Sequence, residues 1–186
     1  MNALGRVFGF LAMPLAILYP LAIGFGEGRI QPRFLAGALL IAGLAHFPAL
    51  SMRRIAPWWF GALLALGLLA IAFNATLPLK FYPVLVNGAL FTIFASSLLS
   101  PPTVIERLAR LKEPNLSPQA RHYMRRATQV WCVFFAVNGT VALITALWAS
   151  ARVWMLYNGF ISYLLMGLLF AGEFLVRWRF KRRYDR

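Results

Sequence analysis

The chain has 186 residues, 61% of them hydrophobic and only 13% charged, with a formal net charge of +14. Soluble domains carry about 25% charged residues, so too few polar side chains are present to cover a water-facing surface, and the length leaves room for one domain, residues 1–186, without a large soluble appendage. The basic residues fall in short runs between long apolar stretches, a pattern that speaks against nucleic acid and for connectors drawn to anionic membrane lipids.

Six apolar segments follow one another: Val7–Ile23, Phe34–Leu50, Trp58–Leu77, Phe81–Leu99, Thr128–Leu147 and Val153–Phe174. Each has about the 20 residues that a helix needs to cross hydrocarbon, and their Leu- and Ala-rich composition favours helix over the alternating pattern of barrel strands. The expected fold is therefore all-α, a polytopic bundle of six transmembrane helices. The first segment follows Arg6 and lacks a small-x-small cleavage site, so a retained helix is expected rather than a leader. Gly24, Gly26, Gly28 and Pro32 separate it from the second, which carries His46 near its end. Ser51, Arg53, Arg54 and Pro57 precede the third. Between the third and fourth, Asn74–Lys80 with Pro78 makes the shortest break.

The connector at residues 100–127 is the one polar segment of size. Thr103 is placed to cap a short helix, with Glu106 as the acidic member of a capping box. Val104, Ile105, Leu108 and Leu111 recur at helical spacing against Arg107, Arg110 and Lys112, which predicts an amphipathic helix lying in the membrane interface and ending at Glu113–Pro114. A second helix is expected from Pro118, capped by Ser117, running into the fifth segment. A basic tail occupies residues 175–186. With the C-terminus in the cytoplasm, fifteen of the 19 basic residues lie inside, and Arg29, Arg33, Lys80 and Arg152 lie outside. That bias predicts both termini in the cytoplasm.

Asn87–Gly88, Asn138–Gly139 and Asn158–Gly159 each fall inside an apolar segment, where a turn would expose backbone polar groups to lipid. A helical Asn beside a Gly that admits a neighbouring helix fits better. On this topology all three amides lie in the outer half of the bilayer, where they would either converge on one polar site with Thr92, Thr140 and Tyr163 or join helices as hydrogen-bonding glue. Gly61 with Ala65, Ala142 with Ala146 and Gly167 with Ala171 are candidate close-packing pairs. Glu173, near the inner end of the last segment, has Arg177 as an i,i+4 partner. His122 belongs to the basic connector. Cys132 is the sole cysteine, which excludes an intramolecular disulfide and a thiolate metal cluster. No HExxH, phosphate-binding glycine loop or Ser-His-Asp set is present, and neither a catalytic group nor a cofactor is expected.

Several stretches of the C-terminal half carry a resemblance: Tyr82-Pro-Val-Leu-Val-Asn-Gly88, Ser100-Pro-Pro-Thr-Val-Ile-Glu-Arg107 with Leu111-Lys-Glu-Pro114, Val130-Trp-Cys132 with Phe134-Phe-Ala-Val-Asn-Gly139, Tyr157-Asn-Gly159, and Leu165-Met-Gly167 with Glu173. Together they resemble a family of small bacterial inner-membrane proteins whose genes lie in aryl polyene or xanthomonadin-like clusters, beside acyl carrier proteins, ketosynthases and dehydratases. The first 80 residues match only as generic membrane helices. The resemblance implies a bacterial inner-membrane location and a link to aryl polyene lipid synthesis or export, and implies no reaction. The expected role is an accessory that anchors or hands over acyl intermediates, with membrane lipids and an acidic carrier protein as partners and Arg107, Arg110, Arg121, Arg125 and Arg126 as docking candidates. The alternatives are a lipid or solute transporter or flippase subunit, and an intramembrane acyl or glycosyl transferase using Asn138, Tyr163 or His46.

Overall fold

A computed structural model describes residues 19–26, 30–46, 56–111 and 113–184. Most of the first expected segment, the connector bearing Arg53 and Arg54, Lys112 and the last two residues lie outside them. Among the described residues the chain is all-α. Residues 19–26 are helical (α1). Then come α2 (Pro32–His46), α3 (Ala56–Phe73), α4 (Leu77–Lys80), α5 (Tyr82–Leu99), α6 (Val104–Arg110), α7 (Pro118–Trp148), α8 (Ala151–Leu156), a π-helical turn (Tyr157–Ile161) and α9 (Ser162–Tyr184).

Three stretches are long and apolar enough to cross a membrane: Leu77–Leu99, Pro118–Trp148 and Ala151–Arg177, of 23, 31 and 27 residues. The expected third segment forms α3 as far as Phe73, and its Gly61–Phe73 stretch is apolar. Asn74 stops α3 by taking a positive φ of 46°, a conformation that Asn tolerates better than most residues. Pro78 and Pro83 then sit in the first turns of α4 and α5, where no intrahelical N–H bond is lost. The outward faces of the long helices are apolar; Phe91, Val133, Val137, Leu164, Leu168 and Phe174 are all exposed. So continuous an apolar surface suits lipid rather than water.

α5 packs along α7, and α2 along α3. The core divides in two. At one end Tyr19 and Ile23 of α1 meet Leu79 and the fully buried Trp154, with Tyr19 and Tyr82 in an edge-to-face contact at 5.1 Å. Tyr19 Oη donates to the Leu79 carbonyl and Trp154 Nε1 to the Lys80 carbonyl. At the other, basic end, Trp131 and Phe135 of α7 stack with Phe94 of α5 and Phe170 of α9.

Both expected caps are present: Thr103 Oγ1 accepts from Glu106 N at 3.3 Å, and Ser117 Oγ from Ala120 N at 3.2 Å. α7 continues unbroken from Pro118, and its 31 residues make about 46 Å of helix, longer than the roughly 30 Å hydrocarbon layer. Its basic first turns therefore project beyond the apolar part. α6 forms as expected and is seven residues long; it docks on α7 through Ile105 and Ala109, four apart, while Leu108 and Leu111 stay exposed. The Glu106 carboxylate does not complete a capping box; it pairs with Arg110 Nη2 at 2.6 Å.

The small-residue pairs divide similarly. Ala142 and Ala146 are buried. Gly61 and Gly167 are exposed, and a Cβ at either would meet nothing within 4 Å. Between α5 and α7 the close approach is made at Gly139, where a Cβ would lie 3.0 Å from Asn87 Cβ; Gly67 makes one to Leu40 and Gly159 one to Leu21.

Candidate functional site

The three asparagines are all buried, yet they do not meet in one site open to the outside. Asn138 Nδ2 donates to Asn87 Oδ1 and to Ser162 Oγ, both at 3.0 Å, and Asn138 Oδ1 accepts from Tyr157 Oη at 2.9 Å. Asn87 Nδ2 donates to the Pro83 carbonyl one turn back. Asn158 belongs to a second group: its Nδ2 donates to Thr145 Oγ1 at 3.1 Å and to the Trp154 carbonyl at 2.9 Å. Its Oδ1 is buried without a partner among the described residues. Thr145 lies seven residues beyond Asn138 on α7, about 10 Å along the axis, which keeps the two groups apart.

The π turn explains how the first group assembles. Tyr157 and Ser162 are five residues apart, and on an α-helix they would point about 140° away from each other. The i→i+5 bond from Ser162 N to the Tyr157 carbonyl brings one nearly over the other, so both reach Asn138. The Asn-Gly steps pointed to Asn87, Asn138 and Asn158; Ser162, Tyr157 and Thr145 gave no comparable signal. Thr92 and Thr140 are exposed and donate to carbonyls on their own helices, Gly88 and Ala136. Tyr163 is half-buried and outside the Asn138 hydrogen bonds. His46 ends α2.

Glu173 also finds a partner other than the expected one. Its Oε2 accepts from Trp131 Nε1 at 2.8 Å, and its backbone carbonyl accepts from Tyr123 Oη at 3.2 Å. Among the described residues no ion pair joins Glu173 to Arg177; the indole of α7, reached across the helix interface, takes the carboxylate. The contact ties α9 to α7 at the basic end.

A concave feature lies at that end, between the α5–α6 connection and the first turns of α7. It is a cleft of about 530 Å³, lined by Pro102, Glu106, Arg110, Arg121, His122 and Arg125 among others. The local chain fixes its shape. Ser97 Oγ accepts from Val104 N at 3.2 Å and holds the entry to α6. Arg107 Nε donates to the Pro102 carbonyl at 2.9 Å, and Arg125 Nη1 to the Leu98 carbonyl at 3.0 Å. Of the five docking candidates, Arg110, Arg121 and Arg125 line the cleft, and Arg107 and Arg126 stand outside it. A place for His122 and Pro101–Pro102 in such a cleft was not legible in the sequence. Three guanidinium groups against one carboxylate leave the cleft positive, fit for an anionic group with bidentate oxygen acceptors. Among the described residues no cluster of His, Cys, Asp and Glu has the make-up of a metal site. The chain matches no protein-family model, no curated protein and no solved structure.

Proposed function

We propose that the chain is a bacterial inner-membrane protein of six transmembrane helices with both termini in the cytoplasm, a non-catalytic accessory that anchors or hands over acyl or polyene lipid intermediates. In this reading the basic end faces the cytoplasm and docks the acidic acyl carrier protein that bears the intermediate. The separation of polar chemistry within the molecule supports it. Asn87 and Asn138, at mid-helix, are engaged with each other and with Ser162 and Tyr157. Arg107, Arg121, Arg125 and Arg126 are exposed at one end and form no ion pair with a carboxylate among the described residues. Unneutralised guanidinium groups on one face steer an acidic partner to it, at little cost to the fold. The apolar composition of α2 and α3 supports the full helix number, and the family resemblance supplies the carrier and the membrane.

The test is capture of purified acyl carrier protein by the full-length protein in neutral detergent. Replacing Arg107, Arg110, Arg121, Arg125 and Arg126 together with Gln is expected to lower recovery about ten-fold or more, the loss that follows from about 1.4 kcal/mol of binding free energy. Recovery equal to that of the parent protein would remove the docking role.

A further inference from the structure

We propose that the cleft between α6 and the start of α7 binds the phosphate of an anionic phospholipid headgroup, held chiefly by Arg121 and Arg125. This goes beyond carrier docking, which draws on all five arginines with Arg121 and Arg125 among them, and stands without it, because the shape of the cleft and the bare leucines beside it carry it.

Four observations lead to a lipid. The cleft's charge is unbalanced: Glu106 is taken by Arg110, and Arg121 and Arg125 remain without a carboxylate among the described residues. Arginine presents a planar fork of donors that matches phosphate oxygens two at a time. The level is that of headgroups. Arg125 donates to the Leu98 carbonyl in the last turn of α5, a helix long and apolar enough to cross the bilayer, and Arg121 stands one turn, about 6 Å, farther along α7. Apolar side chains lie bare on the same elements: Leu99 is 87% exposed, Leu108 61% and Leu111 82%. A water-soluble acidic partner or a free phosphate would cover the arginines and leave these leucines in water. A phospholipid covers both, with phosphate in the cleft and acyl chains against the leucines. The cleft's volume, about 530 Å³, lies within the roughly 300–1,000 Å³ typical of small-ligand sites. Its walls are held before any ligand arrives, by the Ile105 and Ala109 contacts with α7 and by the Arg107 bond to the Pro102 carbonyl.

The full chain in neutral detergent is titrated with short-chain phosphatidylglycerol, short-chain phosphatidylcholine and glycerol phosphate, and binding is read from the rise in Tm. Phosphatidylglycerol is expected to bind about ten-fold or more tightly than phosphatidylcholine, and Arg121→Gln to remove most of that preference. The Arg121 side chain makes no hydrogen bond or ion pair among the described residues, and its backbone N–H bond to the Ser117 carbonyl survives the change, so this variant keeps the fold, as helical content and the Tm without lipid will show. Arg121→Lys retains part of the preference, because it keeps the charge and loses the fork. Arg126→Gln, outside the cleft and not bonded to its walls, retains all of it. Equal binding of the two lipids would overturn the proposal, and so would an unchanged preference in Arg121→Gln. Glycerol phosphate binding as tightly as phosphatidylglycerol would assign the cleft to a soluble phosphate instead. Displacement of phosphatidylglycerol by acyl carrier protein from the parent protein and from Arg126→Gln alike would assign it to the carrier.

Discussion

Replacing Asn138 with leucine weakens the bundle by about 2–3 kcal/mol, read as a lower denaturation midpoint in mild detergent. The side chain is 3% exposed and takes part in three hydrogen bonds, to Asn87, Ser162 and Tyr157. Individual side-chain bonds within membrane bundles contribute on average only about 0.6 kcal/mol. The larger expected loss comes from the groups left behind, since the buried Asn87 Oδ1 and Ser162 Oγ and the partly buried Tyr157 Oη would each lose a partner. The same reasoning gives a non-additive result. Asn87→Leu together with Asn138→Leu leaves fewer orphaned groups, and the double variant is expected to lose less than the two single variants summed. Strict additivity would show that the two amides do not act as a pair.

Gly139→Leu is the second large effect. A Cβ at this position stands 3.0 Å from Asn87 Cβ, a carbon fixed to the α5 backbone, so relief requires the two helices to move apart. Overpacking of this kind costs about 1–3 kcal/mol. Here it also lengthens the Asn138–Asn87 bond, 51 residues apart in sequence and directly beside the contact. Gly167→Leu is the control. Its Cβ meets nothing within 4 Å, the position is exposed, and the change is expected to stay within about 0.5 kcal/mol. Both variants are compared by unfolding in the same detergent. Equal destabilisation would contradict the assignment of α5–α7 as the tight interface.

What could be read from the sequence was local. The caps at Thr103 and Ser117 depend on residues three positions away, and both are found where the spacing put them. The Asn-Gly steps marked an amide and an adjoining close approach; Asn138 with Gly139, against Asn87, and Asn158 with Gly159, against Pro20 and Leu21, both fulfil it. What escaped was decided between helices. Glu173 has a basic residue one turn away, yet its carboxylate lies against Trp131, 42 residues earlier. Tyr157 and Ser162 share a face only because the helix passes through a π turn, and 3.6-residue periodicity carries no trace of that. The hydrophobic spacing of α6 was legible as Val104, Ile105, Leu108 and Leu111, of which α7 buries Ile105, and it adds Ala109, which the spacing did not single out. The apolar content identified chain segments suited to lipid, and three of them form helices of spanning length.

The account rests most directly on α7 crossing the bilayer with its arginine-rich start in the cytoplasm. Cys132 is buried and is the sole cysteine, so a Cys132→Ser background allows single cysteines to be placed at Gln119 and at Ser150, both exposed and at opposite ends of α7. A membrane-impermeant maleimide applied to intact bacteria should label Ser150→Cys, and should label Gln119→Cys only after the membrane is permeabilised. Labelling of both positions in intact cells, or of Gln119→Cys alone, would contradict the account.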